Sequence, residues 1–335
     1  MALSPIMLTA WAVAEIPTLE IDGYRDASTD DVDRVVCRTT DDRVVSISSP
    51  LTAPAAELQD SEHRVGQLLG AGVRDRLPFA VPHTLAAGSL DTRRIVVTEE
   101  VGGTPLSSIK DPRPVFPSLA TAIAAIHSLP GSIVTRNIVP TTTSLDSLRD
   151  AAGVIDRAHQ TTKVPSALLD RWDAAIEDSG MWQFTPTITH GGITFDDVLA
   201  DSGRVTGIIN WANCRVADPA DDLLNFFGRV SPDVAADFMD TYSTQRPSND
   251  QRLAHRARFA SELEIARWLI HGTDTRDESI VAEAEGMLNS LLASVVDNPA
   301  TDLGAPPKAP TTLVFGETQP ARPVVPHEPP TDEPL

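Results

Sequence analysis

Apolar positions in the first hundred residues recur with two different periods. Val44-Val45-Ser46-Ile47 and Ile95-Val96-Val97-Thr98 are short β-branched runs, and each predicts a strand. Between them Leu58, Val65, Leu68 and Leu69 fall near helical spacing and predict a helix over 55–69. Gly102-Gly103-Thr104-Pro105 then breaks the pattern. The apolar stretch from Met1 to Ile16 has no Lys or Arg ahead of it and is interrupted by Pro5 and Thr9. It therefore reads as a helix packed on the domain rather than as a secretion signal.

After Pro105 the helical period dominates. Leu119, Ile123, Ile126 and Leu129 form one stripe that stops at Pro130-Gly131. Residues 166–176 and 234–242 read alike, and 253–270 and 280–296 predict longer helices, the last with Val281, Ala284, Leu288, Leu291 and Val295 on one face. A hairpin interrupts this half: Val198-Leu199-Ala200, a turn at Asp201-Ser202-Gly203-Arg204, then Val205 to Ile209. The pattern thus predicts an α+β chain with a small sheet-rich lobe over 1–104 and a helical lobe over 105–297. Residues 298–335 lose the pattern, with nine prolines in the last 35 positions. This segment reads as a disordered tail that cannot bury enough apolar surface to offset its ordering. Its only sticky run is Thr311 to Phe315, so residues 301–335 read as a passive tail or as a tether for a protein partner.

Composition narrows the function. Hydrophobic residues make up 41% of the 335, enough for a real core. Lys plus Arg is 27 against 47 Asp plus Glu, a formal charge of −20. That balance speaks against nucleic acid and anionic membranes as partners, and it tolerates a cationic small molecule. No apolar run is long enough to span a bilayer. The two cysteines, Cys37 and Cys214, cannot form a disulfide framework or a Cys-rich zinc site, and they read as free thiols in a reducing cytoplasm. There is no Walker-type phosphate loop, no GxGxxG after a strand, no zinc helix and no Gly-x-Ser-x-Gly elbow.

One constellation carries chemistry. Thr189-His190-Gly191-Gly192-Ile193-Thr194-Phe195-Asp196-Asp197-Val198-Leu199 is followed by Gly207-Ile208-Ile209-Asn210-Trp211 and then by Ala217-Asp218-Pro219-Ala220-Asp221-Asp222-Leu223. This loop, hairpin and loop, in this order and spacing, resembles the aminoglycoside and macrolide phosphotransferase family. The resemblance covers residues 1 to about 297 and implies a two-lobe, kinase-like fold with a hinge near Glu99 to Val101. It also implies roles for single positions. The family's proton-accepting Asp falls on Gly192, its magnesium Asp on Asn210, and its second metal ligand, an Asn, on Asp197. The third-strand cation falls on Ser48, with Glu62 as its expected helix partner. Glu99 and Val101 would face a nucleotide, His190 would brace the loop, and Asp218 and Asp222 read as structural, tying down the loop and helix that follow them. The first hairpin lacks glycine and holds Asp26, Asp30, Asp31 and Asp33, which would repel phosphates.

Losing a general base costs about 10²–10⁴-fold in rate, and losing a charge-stabilising group costs about 10²-fold or more. The expected protein is therefore a catalytically impaired pseudokinase: a cytoplasmic nucleotide- or small-molecule-binding or regulatory module. Two alternatives stay open. One is an active ATP- or GTP-dependent phosphotransferase acting on a small-molecule hydroxyl, with Asp196 or Asp197 standing in as base. The other is a structural interaction protein with an empty cleft. Magnesium with ATP or GTP is expected only if the cleft keeps a nucleotide, and otherwise no cofactor is expected. Trp211 and Trp268 read as core, and His127 as a packing residue at a helix end.

Overall fold

The computed structural model describes residues 3–133, 139–296 and 302–303. The small lobe begins with α1 (Pro5–Glu15), started by Ser4, whose hydroxyl accepts the Met7 N–H, and by Pro5 in the first turn. There follow β1 (Ile21–Asp26), β2 (Val32–Thr39), β3 (Val44–Pro50), α2 (Ala53–Leu68), the single turn α3 (Ala71–Arg74), β4 (His83–Leu90) and β5 (Arg93–Glu99). The strands form one antiparallel sheet in the order β1-β2-β3-β5-β4.

Strand alternation gives this sheet two unlike faces. Val35, Cys37, Val45, Ile47, Ile95 and Val97 point to one side and bury against Leu3, Leu8 and Ala12. Asp33 shares that side and is itself buried. Its carboxylate accepts the Leu3 N–H at 2.7 Å and the Arg93 guanidinium at 3.0 Å, which ties the N-terminal helix to β2 and β5. The other face carries Arg34 and Ser48, and it receives α2.

The large lobe comprises β6 (Thr104–Pro105), α4 (Phe116–His127), α5 (Ser144–Thr161), α6 (Ser166–Glu177), β7 (Thr187–Thr189), β8 (Val198–Asp201), β9 (Arg204–Ile208), β10 (Arg215–Ala217), α7 (Leu224–Phe227), α8 (Pro232–Gln245), α9 (Leu253–Thr275) and α10 (Glu278–Val295). β6 adds to the β8–β9 hairpin, and β7 pairs with β10. One apolar cluster centres on α4, the hairpin and α8, and extends under α2. A second joins α5, α6, α9 and α10. α5 is opened by a Thr143–Asp146 capping box, and its narrow buried stripe of Ala151, Val154, Ile155 and Ala158 is too alanine-rich to stand out in the sequence.

Hydrogen bonds join the lobes. The Ala80 N–H donates to the Thr206 carbonyl at 2.9 Å, and the Ile208 N–H donates to the Ala80 carbonyl at 3.1 Å. The Ser61 hydroxyl on α2 donates to the Ala212 carbonyl at 2.6 Å, just after the β8–β9 hairpin. These bonds fix α2 and the small-lobe sheet over the loop that follows β7.

Two expectations change. Trp268 is not core: it is 38% exposed on α9, stacks on His271 one turn later and donates to Glu283. Apart from Asp302 and Leu303, the tail expected over 298–335 lies outside the described residues. Leu303 is buried in the second cluster, so packed chain reaches past the expected end of the lobe at 297. Among the described residues no helix is long and apolar enough to cross a membrane.

Removing the Asp33 carboxylate strands one buried N–H and takes the carboxylate from the Arg93 guanidinium, which keeps its bond to the Ser49 hydroxyl at 2.9 Å. Asp33→Ala should therefore lower unfolding free energy by about 2–3 kcal/mol in urea titration. Asp31→Ala, at an exposed turn two residues away, should change it by about 0.5 kcal/mol or less.

Candidate active site

The loop after β7 is organised by one carboxylate on a separate segment. Asp222 closes a 3-10 turn over Pro219–Asp222. That turn is anchored by Asp218, which accepts the Ala220 N–H at 2.9 Å and is gripped by Arg256 of α9 at 2.7 and 3.1 Å. Arg256 also pairs with Asp250 and lies over the Phe184 ring, so this buried cation has charge partners and a packing surface. Held in this way, Asp222 accepts the N–H groups of His190, Gly191 and Gly192 at 2.8, 2.8 and 2.9 Å. It also contacts His127 Nε2 of α4 at 3.1 Å, and the other nitrogen of that ring meets the Tyr242 hydroxyl of α8 at 2.8 Å. Burial alone would raise the Asp222 carboxyl, but His127, the nearby His190 and the Gly192 N–H outweigh it and hold the group down to about 2.

His190 braces the loop from the other side. Its Nε2 lies 2.8 Å from the Ile209 carbonyl, and its ring meets Trp211 edge-on at 4.8 Å. Trp211 is buried, and its indole N–H donates to the Ile208 carbonyl. Both loop glycines have left-handed backbone, Gly191 at φ +100° and Gly192 at φ +117°. A β-carbon on Gly191 would collide with the Asn213 carbonyl, whereas one on Gly192 would meet open space. Gly192, where the resemblance implies the proton acceptor, thus has room for a side chain but a backbone that disfavours one.

The residues around it are engaged with each other. Asp197 Oδ2 accepts the Thr194 N–H at 2.8 Å and the Thr194 hydroxyl at 2.7 Å, and Oδ1 accepts the Asn210 amide at 2.6 Å. Asn210 sits at φ 65°, which asparagine tolerates. Relative to the implied pattern, carboxylate and carboxamide have changed places, and they bond to one another. Asp196 is exposed and accepts the Ser107 hydroxyl. Among the described residues no group of three or more His, Cys, Asp or Glu side chains is placed to hold a metal.

In the small lobe the helix partner of Ser48 is Gln59, not Glu62. The Gln59 amide reaches the Ser48 hydroxyl at 3.1 Å and its carbonyl at 3.3 Å. Glu62 lies nearly one turn later. It keeps exposed surface, yet neighbouring protein crowds it enough to raise its carboxyl, with Arg34 pulling the other way. Glu99 ends β5 and is ion-paired with Arg43 at 3.7 Å. Val101 packs on Gly207 of β9, where a β-carbon would collide with it. The acidic first hairpin is largely committed as well: Asp26 accepts the Ser28 N–H, Asp31 the Thr52 hydroxyl, and Asp33 faces the opposite side of the sheet.

Below the loop, α5, α9 and the 217–221 segment enclose a cavity of about 510 Å³ lined by Asp146, Asp150, Arg215, Asp221, Glu264 and Arg267 among others. Asp221 is ion-paired with Arg215 at 2.8 Å. Burial nevertheless raises its carboxyl to about 6, with the charges of Asp218 and Asp222 adding to the effect. Cys37 and Cys214 are both buried and free, and burial beside the Asp222 charge pushes the Cys214 thiol up to about 12.

A profile described as "Phosphotransferase enzyme family" matches residues 27–269. The solved structure of a macrolide 2'-phosphotransferase type I aligns with a TM-score of 0.64 and 24% identity, over 86% of this chain and 98% of that one. The apoenzyme of macrolide 2'-phosphotransferase MphH from Brachybacterium faecium aligns with 0.66 and 20%, over 84% and 98%. The GDP complex of wild-type aminoglycoside 2'-phosphotransferase-IIIa aligns with 0.65 and 15%, over 87% and 99%. At these identities the likeness is one of fold. A curated relative, the uncharacterized protein YcbJ of Bacillus subtilis (strain 168), is 26% identical over 128 residues, which is 37% of this chain and 42% of that protein.

The Asp222 carboxyl is depressed in the folded state, so it contributes stability at every pH above its unfolded value near 3.8. That contribution, about 2 kcal/mol, should be lost as the pH falls from about 4 to about 2 and should be missing from the pH–stability profile of Asp222→Asn. In thermal melts Gly192→Ala should cost about 1–3 kcal/mol of backbone strain, and Gly191→Ala more, because it adds a collision.

Proposed function

The chain belongs to the phosphotransferase enzyme family, and from that premise we propose that it binds phosphate-bearing small molecules, nucleotides among them, without transferring phosphoryl groups. The observation that carries this reading is the contrast at the loop. Three successive backbone N–H groups are held on Asp222, yet the residue where the resemblance implies the proton acceptor is Gly192, in a conformation suited to glycine. Phosphoryl transfer depends on positioning and on charge neutralisation, and here the positioning frame is kept while the acting groups are replaced.

The neighbouring side chains support the same reading. Asp196 is the nearest carboxylate in sequence that could act as a base, and it is bound by Ser107. A magnesium ion would draw on Asp197 and Asn210. Both carboxylate oxygens of Asp197 already accept hydrogen bonds, three in all, and Asn210 offers only a neutral carbonyl. This donor set does not fit a hard dication, which favours carboxylate oxygens left free to bind it. Ser48 and Gln59 form a neutral pair where a cation and a carboxylate are implied.

Ligand binding is supported by what remains. The lobes are joined through Ala80 and Ser61 over the loop, and the large-lobe cavity is lined by charges of both signs. Relatives of this fold include the GDP and kanamycin complex of an aminoglycoside phosphotransferase. By analogy, the lobe cleft here is assigned to a nucleotide-like anion and the cavity to a small polar molecule.

Thermal shift with millimolar ATP or GTP tests the reading, because a ligand bound only by the folded state raises its melting temperature. The expected result is a rise of equal size in magnesium and in EDTA. A rise only with magnesium would point to the active phosphotransferase instead, and no rise with either nucleotide would leave a structural protein with an empty cleft.

A further inference from the structure

The family pattern leaves the third strand of this chain without its cation, but alternation on the neighbouring strand brings one to the same place. Side chains of a strand point to opposite faces in turn. On β2, Asp33 therefore turns to the α1 side, where it is buried on Leu3 and Arg93, and Arg34 turns to the α2 side. The register pairs Arg34 directly with Ser48. Side chains of directly paired residues stand beside one another, with β-carbons about 5 Å apart. The backbone of Arg34 is pinned at the root of the first hairpin: its carbonyl accepts the Ala27 N–H at 2.9 Å, and its N–H donates to the Ser28 hydroxyl at 3.1 Å.

The guanidinium is ion-paired with Glu100, immediately after β5, and both partners keep solvent exposure, 45% and 28%. An ion pair so exposed is worth little and exchanges readily. Glu62 on α2 also feels the Arg34 charge. Arg34 is therefore a cation beside Ser48, on the face that receives α2, with a replaceable carboxylate partner at the hinge. A phosphate oxyanion offers a guanidinium two parallel charge-assisted hydrogen bonds and more charge than Glu100 does.

We propose that Arg34 is the phosphate-binding cation of the lobe cleft, held by Glu100 in the empty protein and transferred to the phosphate of an entering ligand. This rests on the reading that the cleft still takes a phosphate-bearing ligand. It requires no magnesium, since the guanidinium itself supplies the positive charge.

Calorimetric titration of wild type, Arg34→Gln and Glu100→Gln with ATP, GTP and inorganic tripolyphosphate in EDTA tests it. Both replaced side chains are partly exposed, and melting curves of the free variants check that each is folded. Arg34→Gln should weaken ATP and tripolyphosphate about 10- to 100-fold, the loss expected for charge-assisted bonds. Glu100→Gln should tighten both several-fold, because it removes the competitor. Tripolyphosphate that binds only once Glu100 is replaced would also support the proposal, as a tighter form of the same competition. If wild type binds ATP and Arg34→Gln binds it equally well, the role of Arg34 is wrong while the ligand-binding reading stands. If neither wild type nor Glu100→Gln binds any of the three probes, both are wrong.

Discussion

Four polar contacts from two segments converge on one buried carboxylate. Asp222 takes the N–H groups of His190, Gly191 and Gly192 and touches His127, and its two oxygens have no access to water. Three successive amides pointing to one side form a tight concave turn, and such a turn is stable in a dry interior only if an anion fills it. Much else follows from this requirement. Arg256 and Asp218 fix the turn that presents Asp222. His127 and Tyr242 carry its hydrogen bonding outward to α4 and α8. Gly191 must lack a side chain because the Asn213 carbonyl lies against it. The loop is therefore shaped by its support and not by the chemistry it could perform.

That separation makes the frame independent of the residues at the implied reacting positions. Gly192, Asn210 and Ser48 are the positions at which the family resemblance implies the base, a metal carboxylate and a cation, and none of them supports the loop through Asp222 by its side chain. The exchange at Asp197 and Asn210 has its own logic: a carboxylate that accepts from Thr194 and from a carboxamide stays satisfied without a metal, as two facing carboxylates would not. In the small lobe Ser48 and Gln59 likewise form a neutral hydrogen-bonded pair.

The sequence made the main elements and the loop motif legible because both are local. The stripe on α4 and the β8–β9 hairpin are set by neighbours within a few residues, and the order His190, Asn210, Asp218 suffices to suggest the two-lobe fold. What stayed hidden depends on distant partners or on helical phase. His127 looked like a packing residue because its partner Tyr242 is 115 positions away. The expected partner of Ser48 was Glu62, three residues off, since a strand-to-helix contact depends on where α2 begins and how it is rotated. Composition alone makes the first hairpin uniformly acidic, because composition ignores period. Alternation sends Asp33 to one face and Arg34 to the other, a signal present in the sequence once β2 is assigned. Asp197 is a metal ligand by resemblance, but nothing local indicates that Asn210 occupies it. Leu303, within a proline-rich stretch, is buried on α-helical neighbours that no local pattern names.

Binding without phosphoryl transfer is a property that one solution experiment can read. Phosphorus NMR of ATP mixed with an excess of the protein and magnesium, followed over a day with and without a polyhydroxylated small molecule, addresses it most directly. Binding without transfer should give resonances displaced by binding and a γ-phosphate that disappears no faster than in buffer. Magnesium-dependent conversion of ATP to ADP with a new phosphate ester on the added molecule would contradict it.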